Sequence, residues 1–191
     1  MIRHGETDWN RQGLIQGFSD IPLNETGIRQ AHIVGEHLAG NSWTKIYTSP
    51  LSRAYDTAAI IAEYTGFPDI FCEERLKERY FGQCEGMEGH RRREVFGRQP
   101  IPGAETWEDV QVRAFEAINS LAWNNPGARL LAVAHGGVIG TLLSLLSNGE
   151  ITPGNPPLQN LCMNAFTYDG TWRIEWYNRV IPELERLQAG V

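Results

Sequence analysis

Apolar residues recur along this chain with two spacings, one typical of helices and one typical of buried strands. They predict helices over 24–40, 52–66, 106–125 and 137–147, and strands over 45–49, 69–76 and 129–135. Residues 163–178 predict a hairpin with its turn at Asp169 and Gly170. This alternation predicts an α/β fold, a three-layer αβα sandwich with a mostly parallel central sheet of about six strands, closed by an antiparallel hairpin. With no repeat or linker, residues 1–191 are predicted to form a single domain.

The first three predicted helices each have one apolar face that should pack on the sheet. Asn24 should cap the first helix and Gly40 should end it, and Thr106 and Asp109 have the spacing of a capping box at the third. The core-facing residues are Ile28, Ala31, Gly35 and Leu38 in the first helix, Ala54, Ala58, Ile61 and Ala62 in the second, and Val110, Ala114, Ala117, Ile118 and Leu121 in the third. The run 129–135 is almost entirely apolar, which predicts a central parallel strand covered on both faces.

Composition argues against several classes of function. The net charge of −6 disfavours nucleic-acid binding, which needs a basic face. No apolar run is long enough to span a bilayer, and the chain opens without the pattern of a signal peptide, so we expect no membrane association. The three cysteines are odd in number and widely spaced, which disfavours a disulfide framework or structural zinc and predicts a cytoplasmic protein.

Two histidines stand at the ends of predicted strands. His4 directly follows the start of a strand, and His135 ends the apolar strand and precedes two glycines. Ligands of open α/β sheets bind at the carboxyl ends of strands, so the two histidines can meet in one crevice if their strands are neighbours. Arg53 lies in the first turn of the helix that follows another strand. With Arg3, these side chains predict a positive cage that suits a phosphate dianion and does not suit a metal ion.

Four segments together resemble the histidine phosphatase superfamily, which has the phosphoglycerate mutase-like fold. They are "RHGETDWN", "TSPLSRA", "RLKERYFG" and "VAHGG", in this order, and they span the chain from Arg3 to about residue 137. The closing strands of the family match the predicted hairpin. Relatives usually have several apolar residues before the R-H-G motif, whereas only two precede it here, so we expect either a late start or an unusually short first strand.

The resemblance implies a role for each matching residue and no cofactor. His4 corresponds to the nucleophile that accepts the phosphoryl group, and Glu78 corresponds to the acid that protonates the leaving oxygen. The remaining residues implied to hold or line the phosphate site are Arg3, Arg53, His135, Asn10, Gln16, Gly17 and Gly136.

The chemistry of phosphoryl transfer is compatible with these residue types. An imidazole attacks phosphorus only while it is unprotonated, and nearby arginines should lower the pKa of His4. The same cations stabilise charge on the transferring group. The assignment of the acid stays open between Glu78 and the neighbouring glutamates, Glu73, Glu74 and Glu85. The basic run over 90–93 is predicted either as a solvated helix face or, with Arg98, as a wall facing the substrate.

The leading functional hypothesis is a metal-independent phosphomonoesterase that acts through a phosphohistidine on a small phosphorylated, anionic metabolite. One alternative is a cofactor-dependent phosphoglycerate mutase, which must keep water out. The short segment 79–105 leaves little chain for such a lid, which favours the phosphatase. A second alternative is a non-catalytic domain that binds phosphorylated ligands. The expected partner is a small phosphate ester, with no nucleic acid or membrane, and the expected assembly is a monomer or a homodimer.

Overall fold

The computed structural model describes residues 1–66, 69–97 and 99–189. Within these residues, six strands form one sheet: β1 (Ile2–Arg3), β2 (Lys45–Thr48), β3 (Ile70–Cys72), β4 (Leu130–Ala134), β5 (Met163–Tyr168) and β6 (Trp172–Arg179). Their order across the sheet is β3-β2-β4-β1-β5-β6. Strands β1 to β4 are parallel, and β5 runs antiparallel to both β1 and β6. The predicted mostly parallel sheet with an antiparallel hairpin is therefore confirmed.

The helices form two layers, one on each face of this sheet. The same described residues contain α1 (Asp8–Gln12), α2 (Glu25–Leu38), α3 (Ser52–Thr65), α4 (Gly89–Phe96), α5 (Trp107–Asn124), α6 (Gly136–Leu146) and α7 (Pro182–Ala189). Helices α2, α3 and α7 contribute to one apolar core, and α5 and α6 contribute to the other. The predicted three-layer αβα arrangement is confirmed. In the part of the chain that the structure describes, none of the helices has both the length and the apolar character that crossing a bilayer requires.

Strand β4 belongs to both cores, as its nearly continuous apolar sequence predicts. Leu131 and Val133 pack into the core beneath α2 and α3, whereas Ala132 and Ala134 pack into the core beneath α5 and α6. Alternate residues of a strand point to opposite faces, so a strand covered on both sides must be apolar throughout. His135, which follows it, is fully buried.

The predicted caps are present, but one predicted core residue is wrong. Asn24 accepts from the Gly27 N–H, and Thr106 and Asp109 form the capping box of α5. Ile28 was expected to face the core, yet it is 42% exposed. The buried face of α2 is centred near Ala31 and Leu38, and at 100° per residue Ile28 lies about 60° from Ala31 and about 80° from Leu38, at the margin of that face.

The strand predicted over 69–76 is also partly wrong, because β3 ends at Cys72 and residues 74–76 form a 3₁₀ turn. Glu73 causes the turn: its carboxylate accepts from the Arg75 backbone N–H at 3.1 Å and from the Arg75 guanidinium at 2.8 Å. Helices α1 and α7 were not predicted. The first strand has two residues and pairs with β4 and β5.

Candidate active site

The carboxyl ends of three neighbouring strands meet at one edge of the sheet and carry the predicted residues there. Arg3 is in register with Ala134, and the His4 N–H donates to the Ala134 carbonyl at 3.0 Å. On the other side of β4, the Ser49 N–H donates to the Val133 carbonyl, also at 3.0 Å. The ring centroids of His4 and His135 are consequently 5.1 Å apart. The structure therefore brings His4 and His135 together at this edge of the sheet.

His4 is buried and is held as a neutral imidazole with a defined tautomer. The residue is only 3% exposed, and its Nδ1 lies 2.7 Å from the Gly5 carbonyl oxygen. A carbonyl can only accept, so the hydrogen of the neutral ring is on Nδ1 and the lone pair is on Nε2. Burial, followed by the positive charges of Arg53 and Arg3, lowers the pKa of His4 well below 6.5. His4 therefore has an unprotonated nitrogen at neutral pH.

His135 presents the opposite nitrogen. Its Nε2 lies 2.8 Å from the Ser49 hydroxyl, which also accepts from the Leu51 N–H at 3.3 Å. This arrangement leaves the hydroxyl hydrogen for Nε2 and favours a hydrogen on Nδ1. Burial, followed by the positive charge of Arg53, lowers the pKa of His135 well below 6.5. His135 is therefore suited to donate one hydrogen bond as a neutral ring.

The two arginines are held through part of each guanidinium. Arg53 is fully buried and donates to the carbonyls of Ser19 at 2.9 Å and Gly17 at 2.8 Å, and Arg3 donates to the Leu158 carbonyl. Three buried nitrogens at this edge of the sheet have no hydrogen-bond partner within the described residues: Arg3 Nε, Arg53 Nε and His135 Nδ1. Buried donors of native proteins are normally paired, so a cluster of three indicates a site for an acceptor with several oxygens.

The loop residues implied as phosphate contacts form one connected network. Gln16 accepts from the Thr7 hydroxyl at 2.9 Å, and Asn10 Oδ1 accepts from the Thr7 N–H at 3.2 Å in the cap of α1. Because Oδ1 of Asn10 is used in this way, its amide hydrogens remain for a ligand. Asn160 donates to the His4 carbonyl at 2.9 Å and to Asn10 Oδ1 at 3.2 Å, so it connects this loop to the backbone of His4.

Among the four glutamates considered for the acid, Glu78 is the one that contacts the start of α6. Its carboxylate accepts from the Gly137 N–H at 3.0 Å and from the Arg79 N–H at 2.8 Å. A Cβ on Gly137 would lie 2.3 Å from Glu78 Oε1, so the second glycine after His135 is needed for this contact. Helix α6 begins at Gly136, the residue between the histidine and this contact.

The other three glutamates have different partners. Glu73 pairs with Arg75, and Glu74 pairs with Lys77 at 2.6 Å. Glu85 accepts from Phe18, Ser19 and Phe81 and holds the loop that contains Gly17. A Cβ on Gly17 would lie 2.1 Å from Glu85 Oε1, which explains a glycine there. These contacts leave Glu78 as the candidate acid.

The basic run lies on α4, and its members differ in environment. Arg91 is exposed and pairs with Glu94 at 3.1 Å, and Arg93 is exposed. Arg92 is half-buried: burial and then the charge of Arg92 lower the pKa of Arg79, the residue beside Glu78. Arg98 lies outside the described residues. Among the described arginines of this basic run, Arg92 is the one that lies near the segment containing Glu78.

Sequence reasoning missed three residues that support this site. Ser49 orients His135, Asn160 supports His4, and Arg113 on α5 donates to the Glu78 carbonyl at 3.0 Å. Ser49 could have been found, because it ends a strand just as the two histidines do. Asn160 and Arg113 carry no such signal, since both reach the site only through the tertiary fold. No group of three or more His, Cys, Asp or Glu side chains in residues 1–66, 69–97 and 99–189 could hold a metal ion.

Comparison with known proteins agrees with this geometry. The family model of the histidine phosphatase superfamily (branch 1) matches residues 1–180. This chain belongs to the histidine phosphatase superfamily. The uncharacterized phosphatase PhoE of Bacillus subtilis is 40% identical over 179 residues, which cover 93% of this chain and 92% of that protein. The probable phosphoglycerate mutase GpmB of Cronobacter sakazakii is 39% identical over 157 residues, or 76% of this chain and 73% of that protein.

Solved structures show the same likeness. The phosphoserine phosphatase of Entamoeba histolytica, in complex with 3-phosphoglyceric acid, superimposes with a TM-score of 0.81 at 31% identity, covering 94% of this chain and 95% of that one. The family and its phosphatase relatives show that this superfamily member is a phosphatase.

Proposed function

We propose that this protein is a metal-independent phosphomonoesterase that forms a phosphohistidine on His4 and acts on a small, anionic phosphorylated metabolite. The three unpartnered buried donors, Arg3 Nε, Arg53 Nε and His135 Nδ1, carry the proposal. A phosphoryl group offers three equatorial oxygens, so it can accept from all three donors beside the ring that attacks it. An anionic ligand also offsets the positive charges of half-buried Arg3 and fully buried Arg53, which a neutral ligand cannot do.

The proposed first step transfers the phosphoryl group to the enzyme. The lone pair on His4 Nε2 attacks phosphorus, and the bond from phosphorus to the leaving oxygen breaks. Glu78, in its protonated form, gives its proton to that oxygen, so the alcohol leaves neutral. The Nδ1–H of His4 donates to the Gly5 carbonyl at 2.7 Å, which stabilises the positive charge that develops on the ring.

The second step returns the enzyme to its starting state. Glu78, now a carboxylate, accepts a proton from a water molecule whose oxygen attacks the phosphoryl group. The N–P bond breaks, its electron pair returns to His4 Nε2, and inorganic phosphate is released. Arg3, Arg53 and His135 serve both steps, because charge develops on the same equatorial oxygens each time. In this proposal the positive charges of Arg3 and Arg53 take the place of a metal ion.

The runner-up function is phosphoglycerate mutase activity, which the name of the relative from Cronobacter sakazakii suggests. It would use the same phosphohistidine but return the phosphoryl group to the product and exclude water. The segment 79–105 favours hydrolysis, because its one α-helix, α4, has no buried residue that would hold it as a closed lid. We also propose that residues 1–191 form one domain and that the protein works in the cytoplasm as a monomer or homodimer.

The decisive experiment measures phosphate release from a panel of phosphate esters, with conversion of 3-phosphoglycerate to its 2-isomer measured on the same enzyme. We expect phosphate release with at least one anionic metabolite and no comparable isomerisation. Isomerisation faster than hydrolysis would assign the mutase function. Tight binding of phosphate esters without either reaction would assign the non-catalytic alternative.

A further inference from the structure

We propose that Arg113, together with Glu105, is the positioning residue of the general acid. This inference rests on the proposed function, in which Glu78 protonates the leaving oxygen. Arg113 does not touch the phosphate site's three donors; it acts on the backbone that carries Glu78. Its position on α5, a helix packed against α6, connects that backbone to the rigid part of the fold.

Glu78 sits on irregular backbone, between the 3₁₀ turns 74–76 and 82–84. No helix or strand fixes its main chain, and its backbone carbonyls are not paired by the hydrogen bonds of regular secondary structure. The carboxylate itself is held by two N–H groups, those of Gly137 and Arg79. Such a residue needs other contacts to keep its carboxyl group at hydrogen-bond distance from a leaving oxygen.

Arg113 supplies these contacts with one guanidinium. One terminal nitrogen donates to the carbonyls of Arg75 at 2.8 Å and Lys77 at 2.6 Å, and the other donates to the carbonyl of Glu78 at 3.0 Å. A planar guanidinium can donate to three carbonyls of one turn of the chain, whereas the ammonium group of a lysine cannot reproduce this arrangement of donors. The main chain on the N-terminal side of the acid is therefore fixed.

Glu105 fixes both the arginine and the chain on the other side of the acid. Its carboxylate accepts from the Arg113 guanidinium through both oxygens, at 2.5 and 2.9 Å. The same carboxylate accepts from the Tyr80 N–H at 3.2 Å, and the Glu105 N–H donates to the Tyr80 carbonyl at 2.9 Å. The Glu105 carbonyl accepts from the Arg79 guanidinium at 2.7 Å. Glu78 thus lies between two held segments.

The ion pair between Arg113 and Glu105 is largely buried, which strengthens these contacts. The side chains of Arg113 and Glu105 are 18% and 17% exposed, so solvent screens them less than a surface ion pair. Misplacing a reacting group by about 1 Å can cost about a hundredfold in rate. Loosening this pair should therefore reduce proton donation without changing the groups that bind phosphate.

A rival explanation is that Arg113 acts by its charge alone, since its positive charge is one cause of the lowered pKa of His135. The variant Arg113→Lys separates the two explanations, because lysine keeps the positive charge but lacks the planar arrangement of donors. If positioning is the role, Arg113→Lys should reduce kcat/KM on an alkyl phosphate by about tenfold or more, and on p-nitrophenyl phosphate by less than about threefold, because the nitrophenolate leaves without a proton.

The experiment compares both esters in wild type, Arg113→Lys, Glu105→Gln and Arg173→Lys. Glu105→Gln preserves shape but removes the ion pair, and should change the ester ratio in the same direction as Arg113→Lys. Arg173→Lys is the matched control, since it makes the same substitution in an ion pair with Asp169 on the closing hairpin. It should leave the ester ratio unchanged. Thermal melts establish that each variant is folded.

The double variant Glu78→Gln/Arg113→Lys completes the test. If Arg113 acts through Glu78, adding Arg113→Lys to Glu78→Gln should no longer change the ester ratio, because coupled residues are not additive. Equal losses on both esters in folded Arg113→Lys, or an undiminished effect in the double variant, would overturn the positioning role while the phosphatase proposal stood. Failure of wild type to release phosphate from either ester would instead overturn the proposed function.

Discussion

His4 and His135 lie 5.1 Å apart between ring centroids, and each presents a different nitrogen to the site. His4 uses Nδ1 for the Gly5 carbonyl, whereas His135 uses Nε2 for Ser49. The free positions are therefore Nε2 of His4, which has a lone pair, and Nδ1 of His135, which favours a hydrogen. Two residues of one type thus present a lone pair and a hydrogen to the same site, as the proposed roles of nucleophile and donor require.

Replacing His4 by alanine should abolish turnover, with a loss of at least about a thousandfold, because the attacking lone pair is removed. Brief reaction of the wild-type protein with substrate, followed by mass spectrometry at alkaline pH, should locate a phosphoryl adduct on His4. His37→Ala is the matched control, since His37 is exposed on α2. An adduct on a serine or cysteine would show that another residue is the nucleophile.

Glu78→Gln should reduce activity on an alkyl phosphate by about a hundredfold and on p-nitrophenyl phosphate far less, because only the alkoxide needs a proton. The amide keeps the size of the side chain and can still accept from the Gly137 N–H. The measurement is kcat/KM on both esters, with Glu74→Gln as the control on an exposed glutamate. Parallel losses on the two esters would assign the proton donor elsewhere.

Activity should survive incubation with EDTA, because Arg3 and Arg53 supply the positive charge that a metal would provide. Vanadate and inorganic phosphate should inhibit competitively, since both present oxygens to the same buried donors. Initial rates before and after dialysis against chelator provide the measurement. Complete loss that added zinc or magnesium restores would contradict the metal-independent proposal.

The histidine pKa values predict how stability depends on pH. The folded-state pKa values of His4 and His135 are well below 6.5, and burial is the largest cause for both. As the pH falls below about 6.5, the unfolded chain takes up protons that these buried rings do not, so the free energy of unfolding should decrease; above that pH the two rings contribute no slope. Urea denaturation across the range from about pH 4.5 to 8 measures this.

NMR identifies the residues that cause this pH dependence of stability. The ring protons of His4 and His135 should show no titration between pH 8 and about 6, whereas those of the urea-unfolded chain should titrate near 6.5. Arg53→Met removes the second-largest cause of the shift at His4, so the pKa of His4 in this variant should rise. A native His4 that titrates near 6.5 would remove the basis for its nucleophilic role.

Arg92→Ala should reduce the preference for anionic substrates, whereas Arg91→Ala and Arg93→Ala should not. Arg92 is the half-buried member of the run and acts electrostatically on Arg79, while the other two are exposed. A partly exposed charge pair contributes on the order of 1 kcal/mol, so the expected change is several-fold and should shrink in high salt. The measurement is kcat/KM for phosphoglycerate relative to a neutral alkyl phosphate. A ratio unchanged in all three variants would make α4 a solvated face.

Apolar periodicity predicted the helices and strands that carry the core. It placed β4 at the centre because only a strand covered on both faces is apolar throughout. It failed where short-range polar contacts override periodicity, as at Glu73, which turns the chain after Cys72. It also assigned Ile28 to the core, because the exact centre of a helix face depends on the neighbouring helix and not on the pattern alone.

The candidate site was predictable in its histidines and arginines, which lie at or shortly after the ends of strands. His4, Arg53 and His135 could be placed at one sheet edge from their position in the sequence. The supporting residues could not: Asn160 and Arg113 act through hydrogen bonds to backbone carbonyls of distant segments. A side chain that binds a backbone carbonyl requires no particular residue type at its target, because every residue has that carbonyl. A sequence motif therefore cannot reveal such a contact.

The contact between Gly137 and Glu78 restricts how this enzyme could be redesigned. The Glu78 carboxylate occupies the space that a side chain at position 137 would need, at 2.3 Å from the Cβ position. A library that varied Gly137 alone would displace the Glu78 carboxylate in nearly every member, and one that varied Glu78 alone would keep a gap shaped for the original carboxylate. Changing the leaving-group preference by directed evolution therefore requires both segments to be varied together, although they lie far apart in the gene.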